Sequence, residues 1–311
     1  MKILLTSTSF QDSPGRHHQM LADTGFDIDK LRGPLPERDL LDIIHLYDGV
    51  ICSDDQYTEE VIKRGAEGKL RIISKYGVGL DSINLEAARK YGVKVTNCPD
   101  VNQITVAEHV FALLLTFFRN VHHEYNATTM QGNWIRTIGH DLYGKHLGIV
   151  GLGRIGKELA RRAVAFGLKV SAYDPFIDED FITTHGISRF NELAEMTTAC
   201  DIISLHLPLK KETEKIISAG IISNHIKKGL YLVNTSRAKL VDREALIAAL
   251  KSGSIAGYLT DVSEVEPIDK DHPLIGMDNV IITSHVGSRT YENIERQGVM
   301  AVENLLATLQ L

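Results

Sequence analysis

Apolar positions along the chain come in two alternating patterns, short continuous runs and longer stretches with an apolar residue every three or four positions. That alternation predicts strands separated by helices. In the first hundred residues it places strands over 2–6, 49–52, 70–74 and 93–96, and helices over 17–24, 59–65 and 85–91. A glycine-rich turn, Tyr76-Gly-Val-Gly-Leu-Asp81, precedes the third helix, and Asn97-Cys-Pro-Asp100 breaks the pattern before a strongly apolar helix over 105–118. A polar segment, 119–146, holds the single tryptophan, Trp134. Strands then follow over 147–150, 168–173, 201–205, 230–234, 255–259 and 280–283, with helices over 242–252, capped by Asp242, and 291–309. Continuous apolar strands alternating with helices imply parallel sheets covered on both faces, an α/β fold.

The most informative stretch is 147–175. Its first strand stops at Gly151-Leu-Gly153-Arg-Ile-Gly156, and a helical face of Ile155, Leu159, Ala160, Ala163 and Val164 follows. A second strand ends in Asp174, about 18 residues past Gly156, close to the spacing at which an acid meets a cofactor ribose. Strand, glycine turn, helix and strand make a dinucleotide-binding βαβ half. Gly151 permits the tight turn, Gly153 lets backbone approach a pyrophosphate, and Gly156 allows close helix packing. The helix N-terminus then faces the anion. Asp174 accepts bonds from ribose hydroxyls and repels a 2′-phosphate, and no Arg or Lys adjoins it, so NAD is expected over NADP. The plainer reading is that Asp174-Pro175 only begins a turn.

Composition narrows the class. A formal charge of −6, from 34 Lys plus Arg against 40 Asp plus Glu, supplies no basic surface for nucleic acid. No apolar run is long enough for a membrane span and the first residues turn polar too soon for a signal peptide, so a cytoplasmic protein is expected. Cys52, Cys98 and Cys200 lack metal-ligand spacing and read as small apolar residues, with Cys98 the nearest to a cleft. No metal is expected.

In parallel α/β sheets the ligand lies beyond the carboxyl ends of the strands. There stand His206, Arg237, Asp261 and His285, with Glu266 close behind. Val233-Asn-Thr-Ser-Arg237-Ala-Lys-Leu-Val-Asp242, Asp261-Val-Ser-Glu-Val-Glu266-Pro267 and Thr283-Ser-His285-Val-Gly287 resemble the signature segments of the D-2-hydroxyacid dehydrogenase family, in its phosphoglycerate-dehydrogenase-like branch. The likeness also takes in Tyr76-Gly-Val-Gly-Leu-Asp81, Val106-Ala-Glu108, the glycine fingerprint and Ser204-Leu-His-Leu-Pro208, in family order.

The resemblance implies an NAD-dependent enzyme interconverting a small D-2-hydroxy acid and its 2-keto acid. Arg237 would hold substrate carboxylate and carbonyl oxygen, His285 would exchange the proton, and Glu266 would orient the imidazole. Val78 and Gly79 would offer N–H groups to the carboxylate. Besides Gly151, Gly153, Gly156 and Asp174, cofactor contacts would fall to Val106, Arg154, Ile155, His206, Pro208, Thr235 and Asp261, the last on the carboxamide. Plainer readings make Arg237 a surface ion pair, Glu266-Pro267 a turn and His285 a core histidine.

Two Rossmann-like domains are expected, with an NAD-binding domain over 100–286 inserted into a substrate domain of 1–99 and 287–311. The crossings fall near Pro99 and Gly287, where glycine suits a hinge. The resemblance also implies a homodimer; the segment 119–146, too polar for core yet holding Tyr125, Trp134 and Ile135, reads as an arm on a second subunit, and no C-terminal regulatory extension is expected after Leu311. Ala238 and Lys239 replace glycines common after the catalytic arginine, and Ser263 replaces a large apolar residue. Asp54 and Asp55 stand where relatives handling phosphoglycerate carry arginines, and two acids there speak against a phosphate. Rival readings are an NADH-sensing corepressor-like protein and a dehydrogenase of formate or phosphite.

Overall fold

Period-2 alternation in short apolar runs decides which face each side chain enters. The computed structural model, which describes residues 1–309, has two α/β units, Met1–Asn102 with the segment from Arg289 onward, and Gln103–Ser288. In the first, β1 (Lys2–Leu5), β2 (Asp27–Lys30), β3 (Gly49–Cys52), β4 (Ile72–Lys75) and β5 (Lys94–Thr96) form a parallel sheet in the order β2-β1-β3-β4-β5. Leu4, Val50, Cys52 and Ile73 enter one core, while Ile3, Leu5, Ile51 and Ile72 enter the other. The helices are α1 (Thr8–Asp12), α2 (Arg16–Ala22), α3 (Glu37–Ile43), α4 (Glu59–Glu67) and α5 (Leu85–Tyr91). Side chains of Ser7, Thr58 and Asn84 cap α1, α4 and α5 by accepting from backbone N–H groups. The last helix, Tyr291–Leu309, packs so close to β3 that a Cβ on Gly49 would lie 2.8 Å from Leu305 Cδ1. Strand β2 and helix α3 were not expected. The strand Asp-Ile-Asp-Lys is a half-exposed sheet edge, so it lacks the apolar run that marks its neighbours.

In the second unit β6 (His146–Val150), β7 (Lys169–Tyr173), β8 (Ser188–Arg189), β9 (Ile202–Leu205), β10 (Leu230–Asn234), β11 (Ile255–Thr260) and β12 (Val280–Ile282) form a parallel sheet in the order β12-β11-β10-β9-β6-β7-β8. The apolar helix α6 (Gln103–Phe118) is core: Ala107, Val110, Phe111, Leu114 and Phe118 pack with Leu147, Ile149 and Leu259. Val150, Ile203, Leu205 and Leu232 face the opposite core. After α7 (Val121–Glu124) come a π-helical turn, Tyr125–Met130, and an extended stretch where Trp134 is 80% and Ile138 92% exposed. Helix α8 (Arg154–Ala165) follows the glycine turn. Short helices α9 (Glu179–His185), α10 (Leu193–Ala199) and α11 (Ala219–Asn224) are too brief to carry a readable period, and α12 (Arg243–Ser252) is capped by Asp242 as expected. No single helix among the described residues is long and apolar enough to cross a membrane.

The units divide at Asn102/Gln103 and Ser288/Arg289, a few residues beyond Pro99 and Val286. The second shift has a local cause. Val286 and Gly287 donate their N–H groups to Asp261 and so stay with the sheet of the second unit.

Candidate active site

Chain order reverses between β6 and β9, and such a switch point opens a crevice at the carboxyl ends of the strands. The loops leaving those two strands are the glycine turn and His206. They touch: Gly151 has φ +98°, and a Cβ there would lie 2.7 Å from the His206 carbonyl oxygen. Gly156 is equally confined, since its Cβ would lie 2.2 Å from the Gly151 carbonyl oxygen. Gly153 is different. It stands at the N-cap of α8, where no side chain caps the helix, and a Cβ would meet nothing within 4 Å. Open space before an uncapped helix N-terminus is an anion cradle. Arg154, exposed, and Ile155, half-buried, form the first turn of α8.

Asp174 ends β7 and braces this turn, accepting from Leu152 N and Phe176 N, both at 2.8 Å. The bond to Phe176 is the turn that an Asp-Pro pair suggests; the bond to Leu152 ties the carboxylate to the glycine loop as well. His206 Nε2 lies 2.8 Å from Ser204 Oγ, and burial pushes its pKa down to about 4, so the ring is neutral. His206 Nδ1 and Thr235 Oγ1 are buried with no hydrogen-bond partner among the described residues. Orphaned polar atoms at the carboxyl ends of the strands suit a polar ligand. Val106 is buried within α6 and Pro208 is exposed.

Arg237 follows β10. Buried Asn234 shapes this turn, accepting from Ser236 N at 3.1 Å and donating Nδ2 to the Arg237 carbonyl oxygen at 2.9 Å. Arg237 Nη1 donates to the Ser236 carbonyl oxygen at 2.8 Å. Glu266 follows β11 and His285 follows β12, so adjoining strands bring the three residues to one sheet edge. Glu266 Oε2 lies 2.8 Å from His285 Nδ1, and Glu266 Oε1 accepts from Ser263 N at 3.0 Å. His285 is thus no core histidine; its side chain is 39% exposed. It also holds φ +55°, a left-handed conformation uncommon outside glycine.

Asp261 ends β11, 2% exposed. It accepts from Thr283 Oγ1 at 2.5 Å, Val286 N at 2.9 Å and Gly287 N at 2.7 Å, and His109 Nε2 lies 3.5 Å from it. Burial alone would raise its pKa, but bonds from His109, Thr283, Val286 and Gly287 hold it below the usual carboxylate range. Gly287 serves this network by close approach, one residue before the boundary at Ser288/Arg289: a Cβ would lie 2.8 Å from Asp261 Oδ2 and 3.3 Å from His109 Cδ2. Sequence reasoning missed His109 and the structuring part of Asn234.

Two expectations in the first unit need correction. Asp55 is fully buried and accepts from Thr6 Oγ1, Leu35 N and Ser53 N, so it staples a loop. Asp54 pairs at 2.7 Å with Lys75, whose ammonium also donates to the Ser53 carbonyl oxygen. Lys75 offsets the Asp54 charge, while Asp55 is met only by uncharged donors, so the electrostatic case against a phosphate is weakened and not removed. Cys98 is wholly buried, its Sγ 3.4 Å from the carbonyl oxygens of Lys75 and Gln297, and burial pushes its thiol up to about 11. It is packing, not a cleft residue. Val78 and Gly79 lie in the turn after β4, where Asn97 Nδ2 donates to the Val78 carbonyl oxygen at 2.8 Å. Among the described residues no three His, Cys, Asp or Glu side chains could hold a metal ion.

A parallel sheet with a glycine cradle at its switch point, and with an arginine, a glutamate and a histidine at the ends of three neighbouring strands, defines the dinucleotide-binding dehydrogenases as the class. Residues 111–287 match the NAD-binding domain model of the D-isomer specific 2-hydroxyacid dehydrogenases, and the chain belongs to that family. It is 37% identical over 313 residues to a D-3-phosphoglycerate dehydrogenase of Methanocaldococcus jannaschii, covering 100% of this chain and 58% of the relative. It is 42% identical over 248 residues to a glyoxylate reductase of Korarchaeum cryptofilum, covering 78% and 74%. The chain thus spans little more than half of that phosphoglycerate dehydrogenase and about three quarters of that glyoxylate reductase. Among solved structures, D-lactate dehydrogenase from Aquifex aeolicus with NAD and lactic acid superposes with a TM-score of 0.86 at 30% identity, over 99% of this chain and 95% of that one. NAD suits the residues present: the Gly153 cradle, the uncapped α8, the Asp174 carboxylate and the orphaned polar atoms of His206 and Thr235.

Proposed function

We propose that the protein is an NAD-dependent oxidoreductase that interconverts a small D-2-hydroxy acid and its 2-keto acid. The observation that carries this reading is the 2.8 Å His285–Glu266 pair, one strand from Arg237 in the sheet that carries the glycine cradle. A bound nicotinamide cofactor would supply the hydride in reduction and accept it in oxidation. His285 donates a proton to the carbonyl oxygen as the carbon is reduced, working through Nε2 because Nδ1 is taken up by Glu266. Glu266 holds the ring orientation and favours imidazolium before transfer. Arg237 anchors the substrate carboxylate with a planar fork that lysine lacks. Gly153, Arg154 and Ile155 would hold the cofactor's pyrophosphate, Asp174 the ribose hydroxyls, His206 and Pro208 the adenine side, Thr235 the nicotinamide ribose, and Val106 the nicotinamide.

With Asp54 paired, both phosphorylated and plain keto acids belong in the substrate screen. Glyoxylate, pyruvate, hydroxypyruvate and 3-phosphohydroxypyruvate would each be tested for loss of NADH absorbance. Turnover of at least one is expected. Tight NADH binding without turnover of any 2-keto acid would favour an NADH sensor instead. We further propose a cytosolic homodimer. Three free buried thiols suit a reducing compartment, and the exposed apolar residues Trp134, Ile138 and Tyr143 offer a surface for a second copy. Sedimentation at micromolar concentration giving a monomer would overturn the dimer.

A further inference from the structure

We infer that His109 is a positioning residue for His285, acting through the Thr283 hydroxyl and the Asp261 carboxylate to hold the catalytic loop in its left-handed turn. The inference rests on the acid–base role proposed for His285.

His109 sits on α6, far in sequence from the strand-end residues, and its Nε2 lies 3.0 Å from Thr283 Oγ1. The direction of that bond follows from proton counting. Thr283 has one hydroxyl hydrogen, and its 2.5 Å contact with Asp261 Oδ1 is far shorter than the 3.4 Å to the Thr260 carbonyl oxygen, so the hydrogen goes to the carboxylate. Thr283 therefore accepts from His109, which must carry its proton on Nε2. The same carboxylate takes the N–H groups of Val286 and Gly287, the two residues after His285. Thr283 N also donates to the Thr260 carbonyl oxygen at 2.9 Å.

His285 at φ +55° is thus fastened on both sides, by Thr283 before it and by Val286 and Gly287 after it, and all three fastenings meet Asp261. A non-glycine residue in that region is strained and persists only where its surroundings over-determine it. His109 completes the set. It donates to the Thr283 oxygen, which polarises the hydroxyl toward Asp261, and its ring lines the space in which only a glycine fits at 287. Without it the Thr283 hydroxyl can turn to the Thr260 carbonyl oxygen, Asp261 loses its shortest bond, and the His285 ring leaves the line set by Glu266.

The test replaces His109 by Leu, which removes the donor, and by Gln, whose amide can restore it. A misplacement of the order of 1 Å costs about 10²-fold in turnover. His109→Leu is therefore expected to lower kcat for 2-keto acid reduction by roughly 10- to 100-fold with NADH affinity nearly unchanged, and His109→Gln to recover most of it. In a Glu266→Gln background, His109→Leu should add little, because residues acting through one pair are not additive. A crystal structure of His109→Leu should show His285 shifted from φ near +55° and its ring withdrawn from Glu266. Should that variant fail to fold, Thr283→Val removes the same link at nearly constant volume and carries the same expectation. Wild-type turnover in His109→Leu, equal losses in the Leu and Gln variants, full additivity with Glu266→Gln, or an unmoved His285 would each overturn the inference. Absence of any keto-acid turnover in the wild type would instead overturn the function reading, and the position of His285 in the variant crystal would still decide the positioning.

Discussion

Gly156 and Gly153 occupy one short turn, yet alanine at each should produce opposite failures. At Gly156 the new methyl would lie 2.2 Å from the Gly151 carbonyl oxygen and 3.2 Å from Ile149 Cγ2. An ordinary contact there is above 3 Å, so backbone of the turn and the start of α8 must part by about 1 Å. Neither is the loose end of a flexible side chain. Overpacking of a rigid interior costs typically 1–3 kcal/mol, and confined backbone argues for the upper end, about 3 kcal/mol. For a domain of this size that is a fall of roughly 6–12 °C in melting temperature. At Gly153, with φ −72° and nothing within 4 Å, alanine meets no obstacle and removes unfolded-state freedom, which stabilises by about 0.4–1 kcal/mol. Its methyl occupies the space before α8, so NADH affinity should fall at least about tenfold, or 1.4 kcal/mol. Scanning calorimetry of cofactor-free protein reads the first effect and quenching of protein fluorescence by NADH the second. If Gly153→Ala melts as low as Gly156→Ala, or binds NADH like wild type, the division of labour between these glycines is wrong.

Further outcomes are expected on the same grounds. His285→Ala should lose about 10²- to 10⁴-fold in turnover with NADH binding little changed; Glu266→Gln should move the loss of reduction rate to lower pH, and an unchanged pH profile would remove Glu266 from the mechanism. Asp174→Ala should weaken NADH binding and narrow the preference over NADPH, and it should also lower the melting temperature because Leu152 N and Phe176 N lose their acceptor; equal use of both cofactors by wild type would contradict the role. His206, with a pKa pushed down to about 4, and buried His17, also lowered by desolvation, bind protons more weakly folded than unfolded. The stabilising contribution of His206 is complete above pH 6.5 and disappears as pH falls from there through about 4, and that of His17 is lost in the same direction. For His206 the shift caps it at about 3 kcal/mol. Melting curves of cofactor-free protein at pH 7.5 and pH 5 should therefore differ, and a His206→Gln variant should show a smaller difference; coincident wild-type curves would count against it.

Read alone, the sequence determined whatever depends on spacing within a few residues. The run 147–175 announced its strand, turn, helix and second strand, because glycine at a positive φ and an uncapped helix start are local necessities. Strands buried on both faces were legible as apolar runs, and Asp242 was legible as a cap because its partner, Ala245 N, is three residues away. Strand β2 escaped notice because an edge strand half in water keeps Asp and Lys. Only the tertiary structure decided the standing of the polar groups. Asp54 and Asp55 look like two free charges until Lys75 and Thr6 are brought against them, and nothing near Gly287 in sequence shows that Asp261 and His109 close on it. His109 gave no sign of its partner because Thr283 is 174 residues distant. A local pattern fixes backbone geometry, since φ, ψ and near-neighbour bonds carry most of that energy. What a charge or a hydroxyl does depends on the one group within about 3 Å of it, and packing of distant strands alone supplies that group.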